Sequence, residues 1–507
     1  MRYLWALVVA AVAASGCTAR SNALQAPAWQ AQAADLVRQG CYDCLRDARE
    51  LYAGAPAAAR RSVLPRLLEV DLLLALREKE LAIDPSEALA RARAVAAELG
   101  SAADMGRFIA IVEAVVPDRS GTPLARRPLS PLIGGREGLQ AAVSAIEASP
   151  FSPVFRDYLV ATIECGRPPL GPQQPAATPP ADVPLLLYRS AICERVDTGP
   201  LERVRAAVPR FVETSVFMGR AAMAAVPLSD GSRAREYLED AYSRFAHSPT
   251  VTFHLATVTQ ATGDCRRAEG YFSETLAIYA DHEEARLGRA ICRTYLSNSD
   301  GAIADATILI DTSAPNRADA YYWRAWNRRA RKQIDEARTD IDAARALRYN
   351  ARVLTLAGMI EHDQKEFDAA REDLTRASEM DSRECQARWY LGLVGYATER
   401  WPESAAGFAD SADCYSRLIA ETEAKKEEMA KRDDVSDEFR TRQLTGFDAA
   451  IAEDSTQRSA ADLNAAINYA RAGEVEKATT YMKRAWADPE RRTTIEDLRQ
   501  VLGVPRW

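Results

Sequence analysis

Small residues return through the middle of this chain at an interval that an ordinary globular core has no reason to keep. Windows opened at positions 215, 249, 283, 318, 351 and 385 are spaced by 34, 34, 35, 33 and 34 residues. Position 8 of each holds Ala222, Ala256, Ala290, Ala325, Gly358 or Gly392, and position 20 holds Ala234, Ala268, Ala302, Ala337, Ala370 or Ser404. Larger residues recur beside them at position 24, namely Leu238, Phe272, Ala306, Ile341, Leu374 and Phe408, and position 27 holds Ala241, Thr275, Leu309, Ala344, Ala377 and Ser411. A unit of this length accommodates two helices. Small side chains let them cross closely, and because one hairpin cannot bury its own apolar face, such units stack.

A further unit opens at Ser459, with Ala466, Gly473, Ala478, Met482 and Ala485 at the matching places. On these residues the chain resembles the tetratricopeptide repeat (TPR) family. The resemblance implies an all-α fold, a right-handed superhelix of αα hairpins, with helix A over about positions 1 to 14 and helix B over about 15 to 30 of each window. It covers 215 to 418 and 459 to 492. Residues 31–165 read as a helical N-terminal region of divergent repeats, with Leu64 to Ile83 rich in Leu and Asp84-Pro85-Ser86-Glu87 as a helix start. Gly40, Tyr42 and Leu45 resemble the turn between two such helices. Seven prolines make 166–184 a linker or exposed loop, or else a Pro-rich ligand. A helical connector follows over 185–214. Residues 419–458 interrupt the array. Their acid-before-base pairs Glu421 with Lys425, Glu427 with Lys431 and Glu428 with Arg432, and the apolar stripe Leu444, Phe447, Ile451, predict two lengthened, charged helices, a solvated arm or a docking element. Residues 493–507 should form the capping helix that a solenoid end requires.

The first segment points to export. Met1 and Arg2 precede an eleven-residue apolar run, Leu4 to Ala14, and then Ala14-Ser15-Gly16-Cys17. Such a run spans only about 16 Å as a helix, short of the roughly 30 Å hydrocarbon core, so cleavage is expected rather than a permanent span. The stretch resembles the bacterial lipobox, with Ala14 where that pattern usually has Leu, and the resemblance implies an acylated Cys17. The alternative is plain cleavage that leaves Cys17 free. Thr18, and no Asp, follows the cysteine, which by resemblance to lipoprotein sorting favours the outer membrane, facing the periplasm. Residues 1–16 are then a signal peptide and 17–30 a tether.

Nine cysteines less Cys17 leave eight. They fall into four close pairs, Cys41 with Cys44, Cys165 with Cys193, Cys265 with Cys292 and Cys385 with Cys414, and disulfides between nearest neighbours are the simplest of the 105 pairings. The TPR hairpin places Cys385 and Cys414 at positions 1 and 30 of one repeat, facing each other. It also sets Cys265 and Cys292 on adjacent helices of neighbouring units. Cys41 and Cys44 form a CxxC that is structural or redox-active; a redox site would need a strand before it, and the flanks read as helix.

Charge and motif content narrow the function. The 507 residues carry 65 basic and 72 acidic side chains, a net charge of −7 and pI of about 5.5, so no global positive field exists to hold nucleic acid. There is no GxxxxGK[ST] loop, GxGxxG turn or GxSxG elbow. His247, His254, His282 and His362 form no HExxH and no metal set. No cofactor and no enzyme activity are expected. Binding remains. By family resemblance, positions 2, 5, 9, 12 and 13 of helix A face the concave side. They hold Phe253; Tyr322, Trp326 and Arg329; Met359 and His362; and Trp389, Leu393 and Tyr396. Aromatics and Arg are the usual anchors of recognition, although any one of these could instead pack between repeats. The expected function is a membrane-anchored scaffold that takes a peptide or helix of a cell-envelope protein. The second reading is a SusD-like glycan-binding lipoprotein, whose aromatics would lie on inserted loops rather than at helix A positions.

Overall fold

The computed structural model describes residues 27–100, 102–115, 135–165, 183–193, 198–225, 231–433 and 437–505. The signal peptide, Cys17 and most of the Pro-rich segment lie outside the described residues. Within them there are twenty-four α-helices and no strand. The N-terminal region comprises α1 (Ala28–Gln39), α2 (Tyr42–Ala53), α3 (Arg60–Glu80), α4 (Ser86–Glu98), α5 (Ala102–Ala114), α6 (Gly135–Glu147), α7 (Pro153–Glu164), α8 (Pro184–Ala191) and α9 (Thr198–Ala207). The proposed tether is shorter than expected, because α1 starts at Ala28 and Trp29 packs edge-on against Tyr52 at 6.5 Å. Gly40 ends α1 at φ 72°, in the left-handed conformation that glycine adopts without steric cost.

Seven hairpins follow: α10 (Glu213–Ala225) with α11 (Gly231–Phe245), α12 (Pro249–Ala261) with α13 (Cys265–Ile278), and α14 (Glu283–Tyr295) with α15 (Ser299–Asp311). Next come α16 (Arg317–Ala330) with α17 (Ile334–Leu347), and α18 (Ala351–Asp363) with α19 (Phe367–Met380). The last are α20 (Cys385–Ala397) with α21 (Trp401–Ala430), and α22 (Asp437–Arg471) with α23 (Val475–Ala485), closed by α24 (Arg492–Val501). The molecule is thus an all-α solenoid of TPR type.

One backbone device joins the two helices of six of these hairpins. Gly263, Ser297, Lys332, Lys365, Glu399 and Gly473 all have φ between 57° and 86°, and each stands at position 15 of its window. The following amide closes the helix end by reaching back to a carbonyl five residues earlier, as in Asn298 N to Arg293 O at 2.8 Å and Glu366 N to Glu361 O at 2.8 Å. Above the turn the helices nearly touch. A Cβ on Gly358 would lie 2.5 Å from Leu374, and one on Gly392 would lie 2.7 Å from Phe408. Ser404, the one non-alanine at position 20, donates to the Gly392 carbonyl at 2.8 Å and so satisfies its buried hydroxyl.

Charged pairs replace apolar contacts between some helices. Asp305 of α15 accepts from Arg289 at 2.7 Å and Arg293 at 2.8 Å of α14. Asp340 of α17 accepts from Arg324 and Arg328 of α16, both at 2.7 Å. Arg289 thus stands at the position that Leu255 and Leu391 hold in other repeats, with Asp305 opposite it as its partner.

Buried ion pairs also bind the N-terminal region to the array. Helix α3 is buried on every side over its last two turns, and Arg77 within it bonds Glu80 at 2.6 Å and Glu213, at the start of α10, at 2.7 Å. Tyr158 of α7 donates to Glu80 at 2.6 Å, Arg189 of α8 donates to it at 3.2 Å, and the Tyr42 amide donates to Glu213 at 2.6 Å. At the other end, α21 and α22 run 30 and 35 residues, against 13 for α20. At 1.5 Å per residue they carry a two-helix arm roughly 25 Å past the neighbouring repeats. Its seam buries Ile419 and Met429, half-buries Leu444, Phe447 and Ile451, and pairs Lys426 with Asp448.

Candidate partner-binding groove

Successive first helices pack on one another, α14 on α16 and α18 on α20, whereas successive second helices meet much less. The array therefore bends toward its first helices, whose free faces line the inside of the curve. Positions 2, 5, 9, 12 and 13 of those helices fall there, and the structure sorts the expected residues by what their side chains already touch.

Two of them are core. Tyr322 is 6% exposed and Met359 1% exposed, both within the cluster of Trp323, Ala337, Ile341 and Leu356. The expectation that they line the groove is corrected: the neighbouring helix covers position 5 of α16 and position 9 of α18. Phe253 is half-buried and packs 4.4 Å from the His282 ring. Arg329 is held by Asp363 at 2.7 Å and donates to the Tyr390 hydroxyl at 2.8 Å, while His362 lies edge-on between Phe367 and Tyr390. These two order α16, α18 and α20 against one another and are not free anchors. Trp326, Trp389 and Leu393 are half-buried, with Trp389 edge-on against Phe408 at 5.0 Å, so each presents one side to the groove. Tyr396 is 45% exposed.

Three groove residues escaped the sequence reading although they obey the same positional rule. Tyr295, at position 13 of α14, is 70% exposed and stands edge-on to Trp323 at 6.1 Å. Arg352, at position 2 of α18, lies over the rings of Tyr322 at 4.2 Å and Trp323 at 4.6 Å. Arg471, at position 13 of the window opened at 459, lies over Tyr396 at 5.0 Å and Trp401 at 4.8 Å. An aromatic row with two cations seated on it thus runs from α14 to α22. Such a surface offers apolar area at small entropic cost together with directed polar contacts.

Behind the groove the Arg and Asp ladder changes sign. At the position of Arg293 and Arg328, α18 carries Glu361, which is 1% exposed and faces Asp373 of α19. Burial first, and then the Asp373 charge, push the Glu361 carboxyl up to about 7 against the pull of Arg338 and Arg345. Those two guanidinium groups lie 3.3 and 3.5 Å from it.

Three of the four expected cysteine pairs are bonded, Cys41 to Cys44, Cys165 to Cys193 and Cys385 to Cys414. The fourth differs. Cys265 and Cys292 stand as neighbouring free thiols, because helices α13 and α14 bring them into contact without closing the bond. Cys41 and Cys44 are wholly buried at the start of a helix, beyond the reach of a substrate thiol. Among the described residues, no group of three or more His, Cys, Asp or Glu could hold a metal, and no helix is long and apolar enough to cross a membrane. A shallow cleft of about 240 Å³ beside Arg38, Pro184, Val208 and Arg210 is separate from the groove, and its charges are already paired, Arg38 with Asp35 and Arg210 with Asp47.

No protein-family model matches the chain, and no curated protein matches it. Solved structures do. The APC/C hetero-tetramer Cut9-Hcn1 is similar at 12% identity, covering 94% of this chain and 95% of that one, with a TM-score of 0.39. A tetratricopeptide repeat protein from Parabacteroides merdae is similar at 15% identity over 58% of this chain and 98% of its own, with a TM-score of 0.34. YrrB, a TPR protein with an unusual peptide-binding site, is similar at 15% identity over 52% and 99%, with a TM-score of 0.25.

Proposed function

We propose that this chain is a non-catalytic interaction scaffold, held to a bacterial envelope membrane through acylated Cys17, that captures a peptide or helix of another envelope protein along the inner face of α14 to α22. The observation that carries the proposal is the row Tyr295, Trp326, Trp389 and Tyr396. These aromatics stay wholly or partly open on the concave side, while other large residues of the same helices, such as Tyr322 and Trp323 of α16, are covered. The signal-like first segment and the lipobox-like Ala14-Ser15-Gly16-Cys17 support the anchor and the outer-membrane, periplasm-facing location.

Photo-crosslinking from position 393 in intact cells, with capture from the membrane fraction, tests the groove. A crosslinked envelope protein that disappears in Tyr295→Ala, Trp326→Ala is the expected result; crosslinks indifferent to those changes would overturn the groove. The anchor is tested separately. Cys17→Ser should release the protein into the soluble fraction and abolish acyl labelling, and unchanged membrane association would remove the lipoprotein reading alone.

A further inference from the structure

The groove is lined by charges as well as rings, and the two signs are treated differently. Several acids on or beside the inner face already have a donor within the chain. Asp363 is taken by Arg329, Asp319 by Arg348 at 2.7 Å, and Glu384 accepts from the Thr355 hydroxyl at 3.0 Å. Arg352 and Arg471 are exposed, and among the described residues neither has a carboxylate within ion-pair distance. Each lies against two aromatic rings set nearly perpendicular to one another, Tyr322 with Trp323 at 85° and Tyr396 with Trp401 at 76°. The exposed N–H groups of each guanidinium remain available to a carboxylate, which they can receive in a fork. A chain of net charge −7 thus presents two exposed guanidinium groups without a salt-bridge partner on its aromatic inner face, Arg352 within the field of Glu384 but not bonded to it.

Resting on the groove reading above, we infer that the occupant is an acidic, extended peptide segment of a partner protein, whose Asp or Glu side chains meet Arg352 and Arg471 while apolar residues between them lie on Trp389, Leu393 and Tyr396. Helix α20 separates the two cations by two helix-to-helix steps, roughly 20 Å, and Arg352 at the start and Arg471 at the end of their helices differ by about 16 Å along the axis, so they stand roughly 26 Å apart. At about 3.3 Å per residue, about eight residues of extended chain cover that span, and one short segment can engage both. The aromatic floor supplies contact area, and the acids supply register and orientation.

A phage-displayed library of random twelve-residue peptides, selected on the full chain, tests this. Wild type should enrich peptides with acids spaced about eight apart, and these should lose about tenfold in affinity on Arg352→Gln, Arg471→Gln and more gradually with added NaCl. Arg352→Lys, Arg471→Lys should recover part of the loss. Peptides that depend on Trp326 yet show no acid enrichment, or ignore the Arg changes, would overturn the inference and leave the groove standing. A pool with no member sensitive to Trp326→Ala would remove the groove reading itself, and this inference with it.

Discussion

The Arg77 guanidinium lies 2.7 Å from the Glu213 carboxylate, across 136 residues of sequence, with both side chains sealed from solvent. Arg77 also stacks 4.0 Å from the Tyr188 ring. The N-terminal region and the first repeat therefore share one buried ionic centre. Removing one partner strands the other charge in a medium that cannot solvate it. Glu213→Ala should cost about 3–5 kcal/mol, read by urea unfolding, with both regions lost in one transition. A loss under about 1 kcal/mol, or two separate transitions, would contradict the shared centre.

Stability should also carry a pH signature from Glu361. Its carboxyl is raised from the ordinary 4.5 to about 7, so between those values the folded chain holds a proton that the unfolded chain has released. The contribution is complete below pH 4.5 and lost as pH rises through 7. Asp373, Arg338 and Arg345 face it directly; Asp342 and Glu366 pair with Arg338, and from α20 Glu384 reaches α18 through Thr355. Glu361→Gln should flatten the fall in Tm between pH 5 and 8 relative to wild type. Parallel curves would show that another group is responsible, such as Glu78, which burial also raises to about 7.

The left-handed turn residues make a third test. Lys332 at φ 61° and Lys365 at φ 65° hold a conformation that costs a side chain about 1 kcal/mol or more, which glycine avoids. Lys332→Gly and Lys365→Gly should each gain up to about 1 kcal/mol in chemical unfolding, and Gly263→Ala should lose a similar amount. Destabilisation by both glycines would show that the side chains matter more than the turn.

Thiol chemistry should report the unpaired cysteines. Burial and then the neighbouring Cys265 push the Cys292 thiol upward, so little thiolate is present near neutral pH. Cys292 should resist alkylation in the native chain and react, with Cys265, once the chain is unfolded without reductant. A peptide linking residues 265 and 292 would refute the free pair.

Groove and core aromatics should separate under truncation. Tyr295→Ala removes a ring that is mostly in water and should shift stability by less than about 0.5 kcal/mol while weakening partner capture. Tyr322→Ala opens a buried site and should cost about 3–5 kcal/mol. Equal losses of stability would mean that Tyr295 packs as tightly as Tyr322.

The repeat was legible in the chain alone because its cause is local. A close helix crossing admits only small side chains, so Ala234, Ala268, Ala302, Ala337 and Ala370 mark it at one interval, and all are buried in the structure. The lengthened helices around 419–458 were visible for a similar reason, since acid-base pairs four residues apart and an apolar stripe are properties of one helix.

Tertiary placement decided the rest. The position-15 turn is one conformation written as Gly263, Ser297, Lys332, Lys365, Glu399 and Gly473, so no residue type betrays it; what imposes it is the packing of the two helices it joins. Which aromatic lines the groove depends on how the next hairpin rotates over it, and that covers Tyr322 and Met359 while leaving Tyr295 open. Arg329 and Arg352 are the same residue type on neighbouring first helices, yet one is ion-paired with Asp363 and the other lies exposed against the Tyr322 and Trp323 rings. Periodicity determined that this chain stacks hairpins; contacts between hairpins, set by side chains far apart in sequence, determined which surface remains to bind.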